Sequence, residues 1–179
     1  MNLPNKLTLL RVIMIPFFLV CLYMQTQPAR IAALVLFCAA SLTDALDGHI
    51  ARKYDLVTNF GKFMDPLADK LLVCSAMIAL TAVDSAVVLP SWVVIIIIAR
   101  EFMITGFRTL AAEQNIVIAA GLWGKLKTIF QMIMIIVLLL NIDNVFFNVL
   151  SWVLIGISLV LTIISAGDYL LKNRQVLKG

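Results

Sequence analysis

Charge is scarce in this sequence: Asp, Glu, Lys and Arg make up 13% of its 179 residues, 63% are hydrophobic, and mean hydropathy is +1.05. Soluble domains carry about 25% charged residues, so this balance excludes an ordinary water-soluble globule. Histidine occurs once, as His49, and Cys21, Cys38 and Cys74 lie in apolar stretches with no metal-binding spacing. Zinc, which asks for clustered Cys or His, therefore has no ligand set here, and the cysteines read as packing residues. Low-complexity segments, internal repeats and long polar loops are also missing, which leaves no room for a separate soluble domain. The net charge of +4 comes from basic residues that flank apolar runs. Such a distribution suits anionic lipid headgroups and argues against nucleic acid as a partner.

Long apolar windows are what the chain has in abundance. Six of them, near residues 8–25, 30–52, 60–82, 87–109, 125–141 and 146–170, are long enough to cross a bilayer as helices. The expected fold is an all-α integral membrane protein with six transmembrane helices, forming a single domain over residues 1–179. With both termini in the cytoplasm, Lys6, Arg11, the Arg52–Lys62 turn, the Arg108–Lys127 connection, Lys172, Arg174 and Lys178 all face inward. Lys70 and Arg100 lie deeper in spans, and Arg30 alone falls near the outer face. This asymmetry follows the positive-inside rule and implies a multi-pass protein of the cell membrane. Gln27-Pro28-Ala29 weakly imitates a signal-peptide cleavage region, but removing the first span would break the charge asymmetry, so that span reads as a retained helix.

Against this apolar background, Asp44, Asp47, Asp65 and Asp69 stand out. A carboxylate at the centre of a bilayer helix costs about 2.5–3.5 kcal/mol, so four unpaired ones would oppose insertion by roughly 10–14 kcal/mol. Something cationic has to offset that. On a helix, Asp44 and Asp47 share one face, as do Asp65 and Asp69 on the next, with the small Gly48, Ala51 and Gly61 beside them. The short connection makes the two helices antiparallel neighbours, able to pool their carboxylates. An all-oxygen donor set favours Mg²⁺, Mn²⁺ or Ca²⁺, and two divalent ions would balance four carboxylates, an arrangement that commonly serves phosphoryl displacement. The acids lie toward the cytoplasmic half, where soluble nucleotides are found.

Written out, the pattern is D-x-x-D-G-x-x-A-R, eight residues, then G-x-x-x-D-x-x-x-D, carried by Asp44, Asp47, Gly48, Ala51, Arg52, Gly61, Asp65 and Asp69. It resembles the signature of the CDP-alcohol phosphotransferase family with all eight fixed positions filled. The resemblance implies that family's transmembrane fold, a homodimer, and transfer of a substituted phosphate from a CDP-linked donor to an alcohol with release of CMP. Residue by residue, it implies metal ligation by Asp44, Asp47, Asp65 and Asp69, with two Mg²⁺ or Mn²⁺ ions per site and Asp69 as general base. It further implies binding of CDP-diacylglycerol by Asn5, Thr8, Asp44, Gly48, Ala51, Arg52 and Gly61.

Other segments bear on the acceptor. Asn5, Thr8 and Arg11 recur every three residues at the start of the first span. Periodicity alone reads them as a helix start, with Asn5 capping and Arg11 snorkelling to the headgroups; resemblance of the N-x-L-T-x-x-R start instead assigns Asn5 and Thr8 to the nucleotide pocket. Arg100-Glu101-Phe102 places an acid and a base inside the fourth span, either as functional groups or as a buried structural ion pair. Together with Gly124-Lys125-Leu126-Lys127-Thr128, it resembles the branch of the family that uses sn-glycerol 3-phosphate as acceptor. That assigns Arg100, Arg108, Lys125 and Lys127 to the acceptor phosphate, although a helix points Lys125 and Lys127 in different directions. Asp168 reads as a helix-end residue. The rivals are a family member using inositol phosphate, serine, phosphatidylglycerol or a choline-type alcohol and, outside the family, a cation-coupled transporter whose aspartates bind the transported ion.

Overall fold

With no water to satisfy peptide groups in an apolar setting, a chain of this kind closes its hydrogen bonds within helices. The computed structural model describes the backbone of residues 3–53, 59–113 and 121–173, and their side chains except at 3–5, 44–53, 59–66, 69, 112 and 113. Among the described residues there are six helices and no strand: α1 (Leu3–Tyr23), α2 (Gln27–Lys53), α3 (Asn59–Leu80), α4 (Ser91–Glu113), α5 (Leu122–Leu140) and α6 (Val145–Lys172). Each falls on one of the six apolar windows. Among the residues whose side chains are described, Lys6–Tyr23, Leu122–Leu140 and Val145–Lys172 are long and apolar enough to cross a membrane, and the described parts of α2 and α3, Gln27–Thr43 and Lys70–Leu80, are apolar too. Arg100, Glu101 and Arg108 interrupt the hydropathy of α4.

The fourth window is displaced most, and the reason is local. Residues 86–89 are apolar, yet they form an irregular segment that buries Val87 and Leu89; the helix starts only after Pro90, whose carbonyl accepts from the Val93 and Val94 amides. Proline is tolerated there because the helix start leaves its missing N–H unneeded. Hydropathy alone cannot separate such a buried loop from a helical turn. Pro16, by contrast, sits inside α1 without ending it.

The helices form two units. The first comprises residues 1–88 and 138–141. In it α1 packs along both α2 and α3, and α2 touches α3. Phe18 and Phe37 meet at 5.9 Å between ring centroids, while Ala33, Ala40, Ala68 and Ala76 are buried and let the backbones approach closely. The chain reverses between α1 and α2 at Gln25, which has φ of 53°, a left-handed conformation a non-glycine residue adopts at some cost. Arg30, buried near the start of α2, donates through Nη2 to the Asp84 carbonyl at 2.9 Å and to Ser85 Oγ at 2.8 Å. Asn141, also left-handed, accepts from the Ala86 amide at 2.8 Å, so the 81–88 segment is held at two points.

The second unit comprises residues 89–137 and 142–179. Here α4 packs on α6. Asn144 caps α6 by accepting from the Phe146 amide. Ser151, Ser158, Thr162 and Ser165 on the buried face of α6 are small and polar, with Thr162 and Ser165 returning their hydroxyls to carbonyls one turn back. Across both units large apolar side chains such as Phe17, Val35, Ile95, Phe102, Trp152 and Val153 are exposed. Exposed apolar surface on this scale fits a lipid environment.

Candidate functional site

In the first unit each helix buries one stripe. Among the described residues the stripe runs through Thr8, Arg11, Ile15, Phe18 and Leu22 on α1, Ala33, Phe37 and Ala40 on α2, and Ala68, Leu72, Ala76 and Ala79 on α3, with Ala29, Arg30, Met77 and Leu80 buried as well. Intervals of three and four mark one face of a helix. Continued in the same helices, the α2 stripe reaches positions 44, 47 and 51, and the α3 stripe runs back through 65 and 61. Asp44, Asp47, Ala51, Asp65 and Gly61 occupy those register positions, and Asp69 directly follows buried Ala68. The side chains of Asn5, Asp44, Asp47, Gly48, Ala51, Arg52, Gly61, Asp65 and Asp69 lie outside the described residues.

Arg11 corrects an expectation. It does not snorkel: its exposure is 0%, and Nε donates to the Ala40 carbonyl at 3.2 Å. Ala40 carries only a methyl group, so α1 comes near enough for the guanidinium to reach the backbone of α2. Thr43 donates its hydroxyl to the same carbonyl at 2.7 Å. Helices α1 and α2 run antiparallel through the 24–26 turn, and the Arg11–Ala40 bond ties them together. Thr8 is itself buried, at 1% exposure. The capping role for Asn5 also fails, since α1 begins at Leu3 and position 5 is already helical.

In the second unit the basic residues separate into two groups. Glu101 Oε1 accepts from Arg100 Nη1 at 3.0 Å and from Lys127 Nζ, with side-chain exposures of 12%, 18% and 4% for Arg100, Glu101 and Lys127. Of the two alternatives for Arg100 and Glu101, the structure shows the largely buried ion pair, widened by a lysine from α5. Two cations thus share one carboxylate oxygen. Arg100 Nη2 lies 3.9 Å from where a Cβ on Gly124 would be.

Two turns along α4, exposed Arg108 donates from Nε to Tyr169 Oη at 3.3 Å, and its guanidinium carbon sits 5.8 Å from the Tyr169 ring centre. Tyr169 is fixed in turn by an edge-on contact with Phe107 at 5.7 Å and by Ile104 and Ala111. Lys125 is exposed whereas Lys127 is buried, as their different directions on a helix require. The structure therefore joins Arg100 to Lys127 through Glu101 and ties Arg108 to Tyr169, and it does not bring all four cations into one contact set. Asp168 does more than end a helix. It pairs with Lys172 at 2.7 Å, and its Oδ2 lies 3.6 Å from where a Gly121 Cβ would stand, beside the amino end of α5. A carboxylate there suits the helix dipole.

Sequence reasoning missed Tyr169 and the Glu101–Lys127 pair. The tyrosine beside Asp168 at the end of the last span was the available signal for the first; no local signal marks the second, because its partners come from different helices.

The chain matches the family model described as CDP-alcohol phosphatidyltransferase over residues 1–164. It is 42% identical to the CDP-diacylglycerol–glycerol-3-phosphate 3-phosphatidyltransferase of Bacillus subtilis (strain 168), with 99% of this chain and 97% of the relative covered. Proteins of the same name from Rickettsia typhi and Haemophilus influenzae are 38% and 37% identical, over 94% and 99% of this chain and 94% of each relative. A motif filled at every fixed position, carried on two adjacent helices and accompanied by likeness along nearly the whole chain, leads to one conclusion: the chain belongs to the CDP-alcohol phosphatidyltransferase family.

Proposed function

We propose that this chain transfers the phosphatidyl group of CDP-diacylglycerol to sn-glycerol 3-phosphate, giving phosphatidylglycerophosphate and CMP. The observation that carries this reading is the eight-position motif, whose acids continue the α2 and α3 stripes that pack against α1. The names of the relatives support the choice of acceptor.

The reaction needs a proton acceptor, a nucleotide pocket and an anion pocket. Asp69 takes the proton of the acceptor hydroxyl as its oxygen attacks the phosphatidyl phosphorus. The bond from phosphorus to the CMP oxygen breaks, and CMP leaves with that electron pair. Proton removal by a placed carboxylate is typically worth about 10²–10⁴ in rate. Asn5 and Thr8, near the start of α1, hold the nucleotide, Arg52 neutralises a phosphate, and Gly48, Ala51 and Gly61 leave room for the donor. The oxygen-only donor set of Asp44, Asp47, Asp65 and Asp69 fits hard divalent ions, and two Mg²⁺ or Mn²⁺ ions held there would supply neutralisation of the donor pyrophosphate and the departing CMP. Arg108 and Lys125, both exposed, meet the acceptor phosphate, and Arg100 and Lys127 add to the attraction.

All six helices span the cell membrane in this reading, with both termini and the acids toward the cytoplasm. The diacylglycerol tails then stay in lipid while cytidine reaches water. Two chains form a homodimer with one site each. The test is CMP release by purified protein given CDP-diacylglycerol, Mg²⁺ and one acceptor at a time. Glycerol 3-phosphate should be used fastest; faster release with inositol phosphate, serine or phosphatidylglycerol would reassign the acceptor, and metal-dependent ion flux in liposomes without CMP would replace the enzyme by a transporter.

A further inference from the structure

Arg11 is an expensive residue in its position. It has no exposure, and an arginine within an apolar helix opposes membrane insertion. Methionine or leucine would fill the space without that cost, so the guanidinium has to provide something an apolar side chain cannot. One of its contacts is directional and specific. Its Nε donates to the carbonyl of Ala40, which also accepts from the Thr43 hydroxyl. Ala40 stands one turn, about 6 Å of helix rise, before Asp44 and on the same stripe as Asp44 and Asp47.

We infer that Arg11 is a positioning residue for the acidic end of α2: its Nε–H bond to the Ala40 carbonyl fixes the rotation and depth of α2 against α1, and through them the Asp44–Asp47 pair. The inference rests on the acids forming the divalent-ion site proposed above. Helix α2 runs on from Ala40 to Lys53, and in the sequence the first acid, Asp44, comes four residues after the carbonyl that Arg11 holds. Apolar contacts alone permit a helix to slide or rotate slightly; a directional bond to one carbonyl does not.

Two substitutions separate the bond from the charge. In Arg11→Gln, the amide nitrogen is attached to Cδ, as Nε is in arginine, so a neutral donor remains at the same distance from the backbone. Arg11→Met puts a methyl group at the end of a chain of similar length and has no donor. Mn²⁺ binding to detergent-solubilised full-length protein is read from loss of the free-ion EPR signal, which needs no turnover. The expected result is affinity at least tenfold weaker in Arg11→Met and within threefold of wild type in Arg11→Gln. Equal affinity in Arg11→Met overturns the inference; tighter binding there would mean that the arginine competes with the metal, and equal weakening in both variants would mean that charge, not the bond, matters. If Arg11→Met does not fold, Arg11→Gln still decides, since a tenfold loss there is incompatible with a retained bond doing the work. Wild-type protein that binds Mn²⁺ yet releases no CMP with any acceptor defeats the proposed function and leaves the positioning role standing. Wild-type protein that binds no Mn²⁺ removes both.

Discussion

The two units place charge among apolar helices in opposite ways. In the first, acids cluster on α2 and α3, and the buried cation beside them, Arg11, bonds to a backbone carbonyl. In the second, cations dominate and are held by side chains: Arg100 and Lys127 by Glu101, and Arg108 by Tyr169. Acids close together on neighbouring helices repel one another unless cations balance them, whereas Arg100, Lys127 and Arg108 have side-chain partners that set their direction. On the proposed function, the first arrangement gives up stability for a reaction centre and the second couples stability to acceptor binding. Substitutions should therefore separate the units by which property they damage.

The largest effect is expected from Asp65→Asn combined with Asp69→Asn. CMP release should fall at least 10³-fold, while the thermal midpoint of the metal-free protein stays level or rises, because two like charges are removed. A fall in the metal-free midpoint would show instead that the acids hold the fold together. Chelation with EDTA should abolish turnover of wild-type protein, and Mg²⁺ should restore it. Glu101→Gln reverses the pattern: it leaves Arg100 and Lys127 with weakened compensation in a largely buried setting, a loss of about 3 kcal/mol read as a lower midpoint. Turnover of the surviving folded protein should fall by far less than in the aspartate variant. Arg108→Gln lies between these extremes. Its expected signature is a tenfold higher KM for glycerol 3-phosphate with little change in KM for CDP-diacylglycerol.

The same contrast governs what could be read from sequence. The acidic motif is local, running from Asp44 to Asp69, so its spacing alone reports helix faces and donor chemistry. Six helices were equally legible, because apolar runs separated by polar turns leave few alternatives. Direction within the apolar setting was not. Lipid is as apolar as a protein core, so hydropathy cannot say whether a stripe such as Thr8–Arg11–Ile15 faces a neighbour or the bilayer. Arg11 was accordingly placed at the headgroups when it is buried. The sharing of Glu101 by Arg100 and Lys127 depends on how α4 meets α5, a packing decision that no single segment encodes. Val87 and Leu89 illustrate a third limit, since a loop that buries apolar side chains has the composition of a helix.

The smallest effect tests whether Tyr169 belongs to recognition or only supports it. Tyr169→Phe retains the edge-on contact with Phe107, the packing on Ile104 and Ala111, and the ring beneath Arg108, and removes only the hydroxyl that accepts from Arg108 Nε. Loss of one such bond is worth about 1 kcal/mol, and the 3.3 Å length places this one toward the weak end. The guanidinium, still stacked, should lose some orientation and keep its charge. KM for glycerol 3-phosphate should rise two- to threefold with kcat and thermal midpoint nearly unchanged. A rise as large as that of Arg108→Gln would mean that the phenol itself touches the acceptor, making it part of the anion pocket. No change at all would mean that the ring face alone aims Arg108, and the second unit would then hold its exposed cation by packing instead of by a polar bond.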